Sequence, residues 1–468
     1  MRVLLISPEA GENYLTSGFA DTINQLAQAY KFKGAEVRVY SPYYERALKA
    51  DHENHLVFET NEIVRNESYK VYKGSLDFHY YIANKAYFDR SGFYDDEERY
   101  PYWDNHYRFS LLASGALNHA IKSGFIPDVV HTHEWGGALA GALVRGEYAK
   151  YLPKTKVIFT IHNVDYDFHF LAQDIERVGL PPKDFNIEGY EFWGKVSMLK
   201  AGILYADYVT VTSIGYRGQL LHGDLPSGIR GFLETHVDKL HGIQHGIDYA
   251  YWDLFANRGQ NLVEAKVSTK TVLQKKLGLA QDSSFMLYCH IDKETKATID
   301  MLLTILQDAL DLNVQIVFGV SDDYGDRSYL SSLAAQMPEK IALLSTDVNI
   351  DNTRKALSAS DALFLSHTEE PAASIVLKAM ASGVVAITGY NCGCSSILTS
   401  FDGTNFKKAN ALMVEKVWPD YMLRELRKAV ELYENSNSQW RQLSLNAYSL
   451  RQTWSSTVTN YFNLLKLK

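Results

Sequence analysis

The sequence predicts an α/β fold made of two doubly wound domains in series. Three observations carry that expectation. Short β-branched apolar runs alternate with stretches of helical spacing through both halves of the chain. Two of the runs, Asp128-Val129-Val130-His131-Thr132-His133-Glu134-Trp135 and Val157-Ile158-Phe159-Thr160-Ile161-His162-Asn163, end abruptly in histidine and other polar side chains. The length, 468 residues, exceeds what one ordinary core organises and suggests two domains of similar size.

Taken in order, Arg2–Ile6 reads as a first strand, followed by a loop and a helix over 21–33 with apolar positions Ile23, Leu26, Ala27 and Tyr30. Gly34 ends that helix and 36–40 is the next strand, completing a βαβ start. Within 51–85, runs such as 69–72 and 78–82 suggest inserted antiparallel ribbons. A helix over 105–123 leads into a strand at 128–131, and a helix over 136–148 into a strand at 156–161. In the second half, 285–289, 314–318, 341–344, 362–365 and 384–387 read as buried strands, separated by helices that include 298–310 and 354–360. The domain break is expected between 240 and 260, and a last helix over about 440–467 carries Trp440, Tyr448, Trp454, Tyr461 and Leu465.

Composition excludes several classes of function. Apolar residues make up 46% and charged residues 22%, as in a soluble globular protein. Lys and Arg total 47 against 55 Asp and Glu, with no basic stripe, so nucleic acid is not an expected partner. No stretch approaches the roughly 20 apolar residues of a membrane span, and the first strand is too short for a signal-peptide core. The three cysteines, Cys289, Cys392 and Cys394, form no disulfide framework and fit a reducing compartment, so a cytoplasmic location is expected. Aromatic residues reach 13%, with 31 Tyr and 7 Trp; such rings stack on sugar faces, and they also fill cores.

In an open parallel sheet, ligands bind in the crevice outside the carboxyl ends of the strands. Two neighbouring strands that both deliver histidine at that edge mark a pocket; the alternative is a pair of unconnected core histidines. His131, His133 and Glu134 also raise zinc, but no third ligand follows at motif spacing, and no metal or other cofactor is expected. His236, His241 and His245 fit no recognised ligand spacing. The aromatic run Asp165-Tyr166-Asp167-Phe168-His169-Phe170 reads equally as an acceptor-side loop or as local packing.

Ordered motifs along nearly the whole chain resemble the bacterial glycogen synthases and plant starch synthases, the family-5 glycosyltransferases. They are Tyr87-Phe88-Asp89-Arg90, Gly92-Phe93-Tyr94, Asp104-Asn105-His106-Tyr107-Arg108-Phe109, His131-Thr132-His133-Glu134-Trp135, Thr160-Ile161-His162-Asn163, Lys200-Ala201-Gly202, Gly246-Ile247-Asp248 and Glu370-Pro371. The resemblance implies a GT-B fold, two Rossmann-like domains facing across a deep cleft: 1–242 on the acceptor side, 243–440 for the nucleotide sugar, and 441–468 as a helix returning to the first domain. It implies retaining transfer of glucose from a nucleotide diphosphate-glucose, ADP-glucose favoured, to the non-reducing end of an α-1,4-glucan. The partners are then a nucleotide sugar and an α-glucan; the oligomeric state is not legible. By the same resemblance His162 contacts the sugar, Glu370 orients it or stabilises its developing positive charge, and Glu134 holds a position usually occupied by Asp. Tyr94, Asp21 and His245 line the acceptor side or cleft, and Gly18, Ser17, His290, Lys296, Cys392 and Gly393 fall in the donor loops.

The departures concentrate on the diphosphate site. Where the family reads Lys-Thr-Gly-Gly-Leu-Gly-Asp, this chain has Leu15-Thr16-Ser17-Gly18-Phe19-Ala20-Asp21, losing the lysine and two glycines. The family's arginine in the second domain is His290, and its lysine is recovered at Lys296 only with a one-residue slip. Histidine does not reproduce the bidentate fork of arginine on phosphate. Lys293, Lys296 and Arg217 are candidate replacements. Two further readings therefore stand beside a synthase: a catalytically impaired glucan-binding or scaffolding homologue, and a GT-B enzyme using another nucleotide sugar.

Overall fold

The computed structural model describes residues 1–11, 18–44, 57–223, 228–256, 262–291, 296–322, 324–346, 350–366 and 371–466. Contacts divide the chain into two compact units, one of residues 1–212, 220–243 and 454–468, the other of residues 213–219 and 244–453.

The first unit contains β1 (Arg2–Ile6), β2 (Glu36–Pro42), β3 (Val57–Val64), β4 (Glu67–Lys73), β5 (His79–Ala83), β6 (Val129–His133), β7 (Lys156–Ile161), β8 (His169–Leu171), β9 (Glu191–Phe192), β10 (Lys195–Ser197), β11 (Tyr208–Val211) and β12 (Leu240–Gly242). Nine of these form one sheet in the order β12-β11-β7-β6-β1-β2-β5-β4-β3. The run from β12 to β5 is parallel, and β4 and β3 add antiparallel at one edge. The chain leaves β1 towards β2 on one side and returns to β6 on the other, so the topological switch point lies between β1 and β6. A separate sheet, β8-β10-β9, is inserted after β7. Val3, Leu5, Ile23, Leu26 and Tyr30 build one side of the core together with Trp454, Val458 and Tyr461 of the final helix, Trp454–Lys466.

The second unit contains β13 (Phe285–Ile291), β14 (Val314–Val320), β15 (Ile341–Ser345), β16 (Ala362–Phe364), β17 (Val385–Gly389) and β18 (Ala411–Val414). All six are parallel, in the order β15-β14-β13-β16-β17-β18, with the switch point between β13 and β16. Alternate residues feed two cores: Leu287, Cys289, Ile316 and Phe318 on one face, Met286, Tyr288, Val317 and Leu363 on the other. Burial on both faces is why these strands read as continuous apolar runs.

Three expected helices are each broken, the one over 298–310 into Lys296–Thr304 and Leu306–Leu310. The helix foreseen over 136–148 is Glu134–Gly137 followed by Leu139–Arg145. It starts against β1, where a Cβ on Gly136 would lie 2.8 Å from Pro8 and one on Gly137 3.0 Å from the Ile6 carbonyl, so both positions need glycine. The last helix is two, Asn437–Ser449 and Trp454–Lys466. Between them the chain is extended, with Thr453 bridged to Ile247, Gln452 N–H donating to the Tyr249 hydroxyl at 2.9 Å, and Arg451 paired with Asp253 at 2.8 Å. Only Trp454–Lys468 belongs to the first unit; the Asn437–Ser449 helix stays with the second.

Candidate functional site

The carboxyl ends of β1, β6 and β7 bring Glu9, His133, Glu134 and His162 together. Glu134 follows β6 directly and takes φ +56°, a left-handed conformation that non-glycine residues rarely adopt. That turn carries its carboxylate across to β7, where Oε1 accepts the backbone N–H of His162 at 2.5 Å and of Asn163 at 3.0 Å. Its other oxygen, Oε2, is buried with no hydrogen-bond partner among the described residues. Burial pushes the Glu134 carboxyl up to about 8; the two backbone donors pull it down, and Asp167 and Glu9 add to the rise. At neutral pH Glu134 therefore holds a proton and has a donor to offer.

Tyr94 is joined to this group through Glu9, its hydroxyl donating to Glu9 Oε1 at 2.6 Å. Burial first, then the Glu9 charge, holds the phenol well above its ordinary range, so it remains a donor. His162 Nε2 lies 3.1 Å from His133 Nδ1, and the Phe19 ring meets the His162 ring edge-on at 4.7 Å. Behind them His131 is a core histidine, 3.2 Å from the Tyr30 hydroxyl and 2.7 Å from Thr160 Oγ1. The two strands thus divide the two readings between them: His131 is structural, while His133 and His162 belong to the edge. Glu9 was not picked out from the sequence, although it follows β1 at the same edge where the strand-end rule applies. Among the described residues no group of three or more His, Cys, Asp or Glu side chains is arranged to hold a metal ion.

Of the other expected acceptor-side residues, Asp21 sits exposed in the first turn of the helix Gly18–Phe32 and accepts Gln25 Nε2 at 2.5 Å. Gly18 opens that helix, and Ser17 lies outside the described residues. In the aromatic run after His162, Phe168 stacks on Trp135 at 5.3 Å and Phe170 on His106 at 4.5 Å. Those two rings are packing, whereas Tyr166 is 53% exposed.

In the second unit, His290 stands near the end of β13, beside the switch point, with Nδ1 3.2 Å from the Tyr288 hydroxyl. Tyr288 is fully buried and its ring fills the space beside Gly319, where a Cβ would clash with the phenol. The histidine is thus pinned to a core tyrosine. His245 is neutral, its imidazole pushed down to about 3 by burial. The Cys392 side chain is buried in an apolar core, so that position can offer a ligand only its backbone. Its carbonyl and that of Gly393 face Gly215, where a Cβ would lie 2.8 and 2.5 Å from them. Lys296 opens the helix Lys296–Thr304, but its side chain, like Lys293 and Glu370, lies outside the described residues.

The family model for the starch synthase catalytic domain matches residues 2–235. Glycogen synthase from Burkholderia thailandensis is 28% identical over 98% of this chain and 89% of its own length. Glycogen synthase from Syntrophotalea carbinolica is 28% identical over 100% of this chain and 98% of its own. Among solved structures, the catalytic domain of starch synthase IV from Arabidopsis thaliana, bound to ADP and acarbose, superimposes with a TM-score of 0.83 at 22% identity, covering 99% of this chain and 98% of that one. Sucrose-phosphate synthase from Thermosynechococcus elongatus does so at 0.61 with 13% identity, each chain covered in full. The fold is GT-B, with two Rossmann-like units.

Proposed function

The chain belongs to the starch synthase catalytic-domain family, and from that premise we propose that it is a retaining glucosyltransferase, moving glucose from ADP-glucose to the non-reducing end of an α-1,4-glucan. The observation that carries this reading is the cluster at the first switch point. A sugar presents many hydroxyls and no charge. Glu134 with its proton, Tyr94, Glu9 and His162 offer donors and acceptors among buried and half-buried groups, where each hydrogen bond counts for more than in water. His162, whose Nε2 lies 3.1 Å from His133 Nδ1, is the imidazole assigned to a sugar hydroxyl. Glu370 follows the carboxyl end of β16 in sequence and is assigned to the reacting glucose.

Transfer separates charge: the sugar becomes cation-like and the departing diphosphate gathers negative charge, which the protein must meet with fixed donors. Here the family arginine is His290, tied to Tyr288. That observation favours a second reading, a glucan-binding homologue with impaired catalysis. In the first reading Arg217 and Lys296 supply the missing charge; in the second nothing does.

Incorporation of labelled glucose from ADP-glucose and UDP-glucose into glycogen separates the two, with Glu370→Ala as control. A synthase incorporates label, prefers ADP-glucose and loses activity in the variant. Absence of incorporation from both donors, in a protein that still binds glycogen, contradicts the proposal and supports the second reading.

A further inference from the structure

The small inserted sheet ends in a turn whose side chain works against the stability of the fold. β9 and β10 pair antiparallel with Lys195 opposite Phe192 and Val196 opposite Glu191, leaving Trp193 and Gly194 as a two-residue connection. Their φ angles are +50° and +78°. A two-residue hairpin loop with both φ positive is the type I′ turn, which favours Asn or Asp followed by Gly. Gly194 suits it. A tryptophan does not, because in the left-handed region its Cβ crowds the following carbonyl. Nor does the indole repay that strain by burial, since Trp193 is 89% exposed.

The turn is firmly mounted. Gly194 N–H donates to Glu191 Oε1 at 2.6 Å, Lys200 Nζ donates to the Glu191 carbonyl at 2.5 Å, and β10 pairs on its other side with β8. Backbone strain that persists in a rigid setting clusters at ligand clamps. The mount also leads back to the first switch point: Phe192 stacks on His169 at 5.1 Å, and the preceding Phe168 stacks on Trp135, the neighbour of Glu134.

We propose that Trp193 is a docking platform for an α-glucan chain, its indole face stacking on a pyranose ring outside the catalytic cluster. The proposal rests on the glucosyltransferase reading for the identity of the polymer. An indole combines a broad apolar face with a polar N–H at its edge, matching a sugar ring whose C–H face is apolar and whose rim carries hydroxyls. Its neighbours along the turn, Gly194 and Lys195, are exposed and not apolar, while the Phe192 ring meets the indole edge-on at 6.4 Å and Leu171, opposite Lys195 on β8, is 55% exposed. The indole face, flanked by a glycine and a lysine, leaves a sugar ring room to stack and gives its rim hydroxyls a polar neighbour.

The test uses the full chain and its Trp193→Asn and Trp193→Phe variants, measuring thermal unfolding, retardation by glycogen in native gels and sedimentation. The expected Trp193→Asn protein unfolds at a higher temperature than the wild type, because the turn is relieved. Yet it binds glycogen more weakly, by roughly three- to tenfold, the worth of one aromatic stacking contact. Trp193→Phe keeps most of the binding. Unchanged glycogen binding in Trp193→Asn, or a wild type that does not bind glycogen, overturns the proposal. So does a change in oligomeric state with glycogen affinity unchanged, which would give the ring to a second copy of the chain. Binding is read here without turnover, so a wild type that binds through Trp193 and transfers no glucose counts against the glucosyltransferase reading alone.

Discussion

Glu134 combines two costs at one residue. Its left-handed backbone is worth about 1–3 kcal/mol of strain, and its carboxyl is buried where ionisation is opposed. Because the folded value, about 8, lies above the ordinary 4.5, its contribution to stability is complete below the ordinary value and is lost as pH rises through the folded one. The wild type should therefore lose thermal stability between about pH 4.5 and 8, and Glu134→Gln, which stays neutral, should flatten that decline. Glu134→Ala should cost about 1–3 kcal/mol at any pH, since it leaves the His162 and Asn163 N–H groups without their acceptor. Unfolding curves across this pH range, for the wild type and both variants, check the three expectations; a wild-type curve that is flat with pH contradicts the assignment. That His162, Glu134 and Tyr94 come near one strand edge was legible from strand ends and motif order. Glu9 was not, because a lone carboxylate after a proline carries no signal until the fold places it beside Tyr94.

Among the elements, β13 and β16 are fastened at their amino ends by a buried ion pair. Lys270 is bonded to Asp361 and also donates to the Ser284 carbonyl at 2.9 Å and the Tyr433 hydroxyl at 3.1 Å, while Asp361 accepts the Met286 N–H at 2.8 Å. Lys266, buried nearby and lowered to about 8 chiefly by burial, donates to the carbonyls of Ser360 and Ser382. Replacing Asp361 by Ala strands two buried ammonium groups, so the second unit should lose about 3–5 kcal/mol, read from denaturant unfolding. A loss below about 1 kcal/mol would mean that water or rearrangement reaches the pair. None of this could be read from sequence, because Lys270 and Asp361 are 91 positions apart and each looks like a surface charge. The broken last helix was hidden for a similar reason. Leu450–Thr453 contains no glycine or proline, and its extended path follows from partners in residues 247–253.

At the scale of the whole molecule, alternation of apolar runs with helical spacing was enough to foresee two parallel sheets, because strands buried on both faces write themselves plainly in sequence. The order of those strands, and hence the two switch points, required the structure. Polar side chains collect at both: Glu9, His133, Glu134 and His162 at one, His290 beside the other. All three cysteines are buried thiols outside any disulfide, so a thiol reagent such as Ellman's should label none in the native protein and three after unfolding; fast native labelling would contradict the packing of Cys392 and Cys394. The central claim, that the cluster at the first switch point holds the transferred sugar and its acceptor, is tested most directly by steady-state transfer from ADP-glucose to glycogen in the wild type and in His162→Ala. Measurable wild-type turnover is expected, with a fall in kcat/KM of roughly 100-fold or more in the variant, the scale of losing a donor aimed at the reacting group. A variant that transfers glucose as fast as the wild type would place the sugar elsewhere and contradict it.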